Sequence, residues 1–287
     1  MDYIFAGISV GGQYALIAIG YTMVYGILRL INFAHSDVFM VAGLLMVYLQ
    51  TAVPYYVAIP VTIALTILLS FFIEKCAYKP LRSAPRMSVM ISAIGVSYLI
   101  QNVALYVTCG LPQTYPRVKW LTKTITVFGV STNMVTLITP VIAVILIVAL
   151  VLLINKTKVG IAMRASSVDF ETASLMGVKI NRVISITFVI GAALAAVASI
   201  LYFNNYPSVM PTSGSMPGLK AFVAAVFGGI GSIPGAVIGA FIIGICENIL
   251  KMVGLTAFSD AFTFALLILV LCVKPTGIFG EKKTDKV

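Results

Sequence analysis

The sequence predicts an all-α, polytopic integral membrane protein with about eight or nine membrane crossings and a broken helix near residues 228–235. Three observations predict it. Apolar residues make up 60% of the chain against 10% charged, and mean hydropathy is +1.08, which leaves too little polar material to coat a water-soluble globule of 287 residues. Apolar runs near the roughly 20 residues that span a hydrocarbon core recur along the whole length, so residues 1–287 read as one transmembrane domain. Lys and Arg collect at the ends of those runs, as the positive-inside bias requires.

Taken in order, the first run, Ile4 to Leu28, has no basic segment before it and no small-residue cleavage site. It reads as a span and not as a removable signal. The following spans are Ile31 to Leu49, Tyr55 to Ile73, Ser88 to Cys109, Val135 to Ile154 and Val183 to Phe203. A split region from Leu219 to Leu250 and a last run from Leu255 to Val273 complete the set. Lys75, Lys79, Arg82 and Arg86 follow the third span, and Lys156, Lys158, Arg164, Lys179 and Arg182 follow the fifth. Lys274, Lys282, Lys283 and Lys286 end the chain, and all three groups are expected in the cytoplasm. The segment Asn204 to Gly218, with Pro207, Pro211 and Pro217, is expected outside, as is the 110–134 loop despite Arg117, Lys119 and Lys123.

Parity then requires two crossings in the split region: inward from Leu219 to Phe227, a break over Gly228-Gly-Ile-Gly-Ser-Ile-Pro-Gly235, and outward from Ala236 to about Leu250. The inward piece covers about half a hydrocarbon core at 1.5 Å per residue, so the break must lie deep or be shielded by protein. Small residues at helix-packing spacing, Gly7, Gly11 and Ala15 or Gly191, Ala195 and Ser199, read as close helix contacts.

The 155–182 loop is the chain's main polar stretch. It holds Lys156, Lys158, Arg164, Asp169, Glu171, Lys179 and Arg182, whose burial in a membrane centre would cost about 20 kcal/mol, so it belongs in water. Ser166 and Asp169 predict a cap, Val168 to Met176 a short helix, and Gly177 its C-terminal stop. Ala173 and Gly177 make a small flat face, with Phe170, Leu175 and Met176 as apolar knobs that a solvated loop has no use for. This face predicts a protein partner, with lipid headgroups as the alternative.

Asn32, His35 and Asp37, with Arg29 before them, form the densest polar cluster beside a span. They read either as a pore-lining or gating turn or as a cytoplasmic hairpin end whose members satisfy helix termini and one another. Gln13, Gln101 and Asn102 read as hydrogen bonds between helices, and Glu247 and Asn248 as solvated at an interface. The four cysteines form no C-x-x-C pair and the chain has one His, so metal and redox chemistry are not expected. No catalytic residues are assigned. The net charge of +10 lacks the aromatic interleaving of a nucleic-acid surface, so the basic residues are assigned to the bilayer.

The spacing Glu171-x-Ala173-x-x-x-Gly177 is similar to the coupling motif of permeases in ATP-driven importers, with Thr172 departing from its second Ala. The wider run through Arg164, Asp169, Gly177 and Arg182 resembles the permeases of branched-chain amino acid uptake systems. So do Ile31-Asn-Phe-Ala-His35, Ile91-Ser-Ala-Ile-Gly95 and Phe227-Gly-Gly-Ile-Gly-Ser-Ile-Pro-Gly-Ala236. The nearer type is the first of the two paired permeases, and Ser36 stands where that family usually has Gly. The resemblance implies a cell inner membrane subunit that pairs with a sister permease and takes Leu, Ile or Val from an extracytoplasmic binding protein. Two cytoplasmic ATPase subunits would drive it through Arg164, Asp169, Glu171, Ala173 and Gly177, with Asn32, His35, Gly228, Gly229, Gly231 and Gly235 as pore or gating residues.

The chain carries no phosphate-binding loop, so ATP and Mg would be used by the partner subunits and no cofactor is expected here. Sparse charge within the spans suits zwitterions with aliphatic side chains, and equally urea or short amides. An ion-coupled secondary transporter is the alternative of another class. It needs a titratable group near the midplane, and the candidates His35, Asp37, Glu247 and Asp260 all fall near predicted span ends.

Overall fold

A computed structural model describes residues 2–280 apart from 83, 119, 128–129 and 275, with the side chains of 86, 127 and 130 also undescribed. Lys119, Lys282, Lys283 and Lys286 therefore lie outside the described residues, as does the side chain of Arg86. The chain forms α1 (Asp2–Leu28), α2 (His35–Ala52), α3 (Tyr55–Ile73) running on through a wider turn at Glu74–Tyr78, and α4 (Arg86–Thr108). After short strands β1 (Gln113–Thr114), β2 (Thr124–Val127) and β3 (Val130–Asn133) come α5 (Met134–Lys156), α6 (Lys158–Val168), α7 (Phe170–Leu175) and α8 (Ile180–Asn205). Strand β4 (Ser208–Val209), α9 (Ser215–Gly228), α10 (Ile233–Met252) and α11 (Ser259–Val273) complete it.

Seven of these helices are long and apolar enough to cross a membrane, and α2 and α9 are the other two long apolar segments. The 110–134 loop is more regular than expected. β2 pairs antiparallel with β3, and β1 pairs with β4, so the loops after α4 and α8 meet at one end of the bundle.

Helix α1 is the axis. It is apolar on all sides, which makes a helix a core element, and 72% of its spanning window is buried against 11–28% for α3, α4, α5 and α11. It packs against α10, α8, α5 and α9. The approach to α10 is close because both helices present glycine: a Cβ on Gly11 would lie 2.9 Å from the Phe241 Cα, and one on Gly244 would lie 2.4 Å from the Gly11 backbone nitrogen.

Two helices begin inside the bundle instead of at its ends. His35, the first residue of α2, packs on Gly20, about two turns before α1 ends, and Asp37 meets Ser97 in the middle of α4. Helix α9 starts against the first turn of α2, with Gly214 and Gly218 seated on Ser36. Of the two readings of the 29–37 turn, a hairpin end whose members satisfy one another does not fit, and Asp37, in the first turn of α2, lies beside the middle of α4. Arg29, Asn32 and Asp37 each bond to a different element, while Ser36 bonds back to the Phe33 carbonyl within the turn.

The split region also differs from expectation. Its helices are longer, Ser215–Gly228 and Ile233–Met252, so the break is only the four residues 229–232, while Gly228 and Gly235 are helical. Ser232 caps α10 by accepting the Gly235 N–H at 3.3 Å, and Pro234 sits in the first turn, where its missing N–H costs nothing.

Candidate functional site

The 155–182 loop folds as two helices, not one. Thr157 caps α6 by accepting the Gly160 N–H at 3.2 Å. Asp169 then breaks the run in an extended conformation and caps α7, its carboxylate accepting the Glu171 N–H at 2.9 Å and the Thr172 hydroxyl. Those two donors, Thr172 first, hold the Asp169 carboxyl below the usual carboxylate range. Ser166, the expected cap, donates instead to the Ala162 carbonyl within α6 at 2.8 Å, because the helix has already begun at Lys158.

The C-terminal stop is where the sequence places it. Gly177 has φ +86°, and the Val178 N–H reaches back to the Ala173 carbonyl at 3.0 Å, closing α7 with a left-handed cap that strains any side-chain-bearing residue.

The apolar face is rearranged. Ala173 is buried and Phe170 half-buried while Gly177 stays exposed, so the expected flat face is split, and the protruding residues are Val168, Leu175 and Met176 at 85%, 87% and 81% exposure. Glu171 is exposed beside them, and Arg164 donates to Asn155 Oδ1 at 3.2 Å, tying α6 to the end of α5.

Besides its packing on α1, α5 and α8, the loop is tied to the end of α1 by a side-chain hydrogen bond. Arg29 follows the last residue of α1 with φ +56°, a left-handed conformation that costs a non-glycine residue roughly 1–2 kcal/mol. From there its Nη2 donates to the Ser167 carbonyl at 3.0 Å. Around that bond lies a cavity of about 700 Å³ between the end of α1, the α3–α4 connection, α6–α7 and the start of α8. Arg82 at its wall is paired with Glu74 and with Asn181.

The polar turn is not a mutually bonded cluster. Asn32 accepts from Tyr78 Oη at 2.7 Å, and Tyr78 itself lines the cavity. His35 is buried, packed edge-on to Tyr21 with ring centroids 5.0 Å apart and close to Gly20 and Gly191. Asp37 accepts from Ser97 Oγ at 2.5 Å and Gln101 Nε2 at 2.9 Å, so Gln101 does make the expected bond between helices. Asn102 bonds within its own helix, to the Tyr98 carbonyl.

At the glycine break, Gly229 and Gly231 both have positive φ, +109° and +100°. Gly231 faces Gly26 of α1, which sets the break at the same end of the bundle as the 155–182 loop. The chain after α11 returns to cover it: the N–H groups of Ile278 and Phe279 donate to the carbonyls of Phe227 and Gly228 at 3.0 and 2.9 Å. The shielding that the short break requires is thus supplied by the C-terminal segment.

Two residues expected to be solvated at an interface are buried instead: Asn248, which donates to the Gly244 carbonyl at 2.9 Å, and Glu247. Glu247 accepts from Lys220 at 3.0 Å, Lys251 at 2.8 Å and Tyr14 Oη at 3.0 Å, while Lys220 also meets Asp260 at 2.6 Å. The four-residue spacing of Glu247 and Lys251 was the available signal; Lys220 is 27 residues away in sequence and gave none.

Comparison with known proteins bears on this arrangement directly. Residues 3–271 match the family described as branched-chain amino acid transport system / permease component. The high-affinity branched-chain amino acid transport system permease protein LivH of Escherichia coli (strain K12) is 42% identical, over 100% of this chain and 97% of its own length. BraD of Pseudomonas aeruginosa, named for the same kind of system, is 39% identical over 98% and 96%. Among solved structures, a metal-chelate type ABC transporter in an inward-facing conformation shares the fold at a TM-score of 0.53 and 16% identity, covering 95% of this chain and 86% of that one. A helical membrane bundle with full-length similarity to these proteins can be placed: this chain belongs to the permease components of branched-chain amino acid transport systems.

Proposed function

We propose that the chain is the membrane-spanning subunit of an ATP-driven importer that carries Leu, Ile and Val received from an extracytoplasmic binding protein. It pairs with a sister permease in the cell inner membrane, with the docking loop and the C-terminus in the cytoplasm. Two ATPase subunits, which hold the ATP and Mg, dock on the loop, and the whole chain acts as a single transmembrane domain. The observation that carries this reading is the shape of α7. A helix of six residues, capped at both ends, holds Leu175 and Met176 in solvent beside Val168 at the end of α6, and such an exposed apolar knob marks a surface that a partner covers.

The core of the bundle fits the cargo. Its buried surface is mostly apolar, and among the described residues the buried charged groups are bonded, Lys220 with Glu247 and Asp37 with Ser97 and Gln101, which limits their hold on either end of a zwitterion. The Arg29 link gives the ATPase stroke a route from Ser167 to α1, the axis of the fold.

Two variants test the coupling. Glu171→Lys and Gly177→Trp alter the docking surface and its cap without touching the core, and are expected to leave assembly intact while leucine uptake falls and ATP hydrolysis no longer tracks it. Uptake at the parent rate in both would remove the loop from coupling. Thiol labelling of Thr172→Cys is expected only from the cytoplasmic side; labelling only from outside would invert the topology.

A further inference from the structure

The cavity beneath the docking loop is larger than packing needs and has an unusual wall. At about 700 Å³ it falls in the range of small-ligand sites. One side is apolar, with Leu30, Val89, Ile180 and Ile184; the other carries Arg29 and Glu171. Arg29 spends one guanidinium donor on the Ser167 carbonyl and has others to give, while Arg82 is already paired with Glu74. Asp169 is engaged as the α7 cap, which leaves Glu171 as the carboxylate with no bond among the described residues. The strained backbone of Arg29 is a second, independent mark, since such conformations persist where the surroundings enforce them at working sites.

We propose that this cavity is a binding site, on the docking-loop side of the membrane, for a zwitterionic amino acid with an aliphatic side chain. Arg29 takes the carboxylate, Glu171 the ammonium, and the Leu30, Val89 and Ile184 wall the side chain. The site is built from both partners of the Arg29–Ser167 contact, the end of α1 and the α6–α7 loop, so an occupant clamps the link through which the loop would move the core. Accumulated product therefore slows its own import. The proposal rests on the importer reading above, with the loop in the cytoplasm.

The test uses the assembled importer in proteoliposomes, with ATP enclosed and labelled leucine and binding protein outside. Enclosed millimolar L-leucine is expected to slow initial uptake roughly fivefold, a typical coupling between sites. Enclosed leucine amide, which lacks the carboxylate, and 4-methylpentanoate, which lacks the ammonium, are expected to have no effect. Ala84→Trp fills the cavity from the α3–α4 connection and is expected to abolish the inhibition while uptake into leucine-free liposomes persists. Parent uptake indifferent to enclosed leucine, or equal inhibition in Ala84→Trp, overturns the site.

Calorimetric titration of the nucleotide-free complex with L-leucine, without binding protein, separates this from the importer reading. Heat in the parent that is lost in Ala84→Trp and in Arg29→Gln supports the site, and equal heats or none overturn it. Absence of leucine uptake even into empty liposomes would instead sink the substrate assignment.

Discussion

His35 fits between helices only because residue 20 is glycine: a Cβ there would lie 2.1 Å from its Nε2. Gly20→Ala must therefore push an aromatic ring in a packed interior, at a cost of about 1–3 kcal/mol. Gly95 is a built-in control, because a Cβ there meets nothing within 4 Å, and alanine at that position is expected to add about 0.5–1 kcal/mol through helix propensity. Thermal unfolding in detergent should thus move in opposite directions for the two substitutions. A Gly20→Ala protein as stable as its parent would show that the ring is not held by that contact. Asp37 makes the complementary point about what a sequence hides. Its partners, Ser97 and Gln101, lie a whole span away, and the register that brings α4 beside α2 is set by packing that no local pattern encodes.

At the scale of elements, the local signals were the dependable ones. Gly177 as the end of α7 and the small-residue faces of α1 follow from residue types at short spacing, whereas Ser232 and Pro234, which start α10, lie inside the break read from the sequence. A second exception was the choice between Ser166 and Asp169 as a cap. Both satisfy the pattern, and the decision fell to α6, whose unbroken start at Lys158 absorbs Ser166 into a helix interior. That choice has a pH signature. The Asp169 carboxyl titrates below its unfolded value, so its capping contribution is complete at neutral pH and disappears as pH falls through the lowered folded pKa. Amide exchange at Glu171 and Thr172 should accelerate on acidification beyond the intrinsic trend in the parent, and Asp169→Asn, whose amide oxygen caps at any pH, should show a flat protection factor. Equal pH dependence in both would assign the α7 cap elsewhere.

The Lys220 cluster is the element-level tie between α9, α10 and α11, and it involves nearly complete burial of Lys220 and Glu247. Removing Lys220 takes one of two cations from Glu247, which keeps Lys251 and Tyr14. Lys220→Met is expected to destabilise by about 2 kcal/mol, the scale of a hydrogen bond to a charged group, while the double change Lys220→Met with Glu247→Leu recovers part of that loss. Denaturation midpoints of the three variants form a double-mutant cycle, and strictly additive changes would mean that the pair does not interact.

For the whole molecule, composition settled the membrane class, and span counting gave the approximate number of long helices. What it could not give is depth. A hydropathy run says that a segment is apolar, not where along the normal it begins, and so the internal starts of α2 and α9 were invisible. The route of the chain after α11 was equally hidden, since Gly277, Ile278 and Phe279 read as an ordinary terminal loop. In the fold those residues close the glycine break. Helix α9 ends with carbonyls that no later turn of the same helix can satisfy, and two of them, Phe227 and Gly228, take their hydrogen bonds from the returning backbone. Lys274 fastens the return by donating to the Ile278 carbonyl at 2.7 Å. A chain ending at Lys274 therefore leaves two partly buried carbonyls unpaired, which costs about 2 kcal/mol at about 1 kcal/mol per hydrogen bond. A chain ending at Gly280 keeps both bonds and should melt with the parent. The contrast isolates the strap from the basic residues beyond it: if both truncations melt together, the segment covers the break without supporting it, and if only the shorter chain is weakened, faster amide exchange should localise to residues 229–236, beside the carbonyls it has lost.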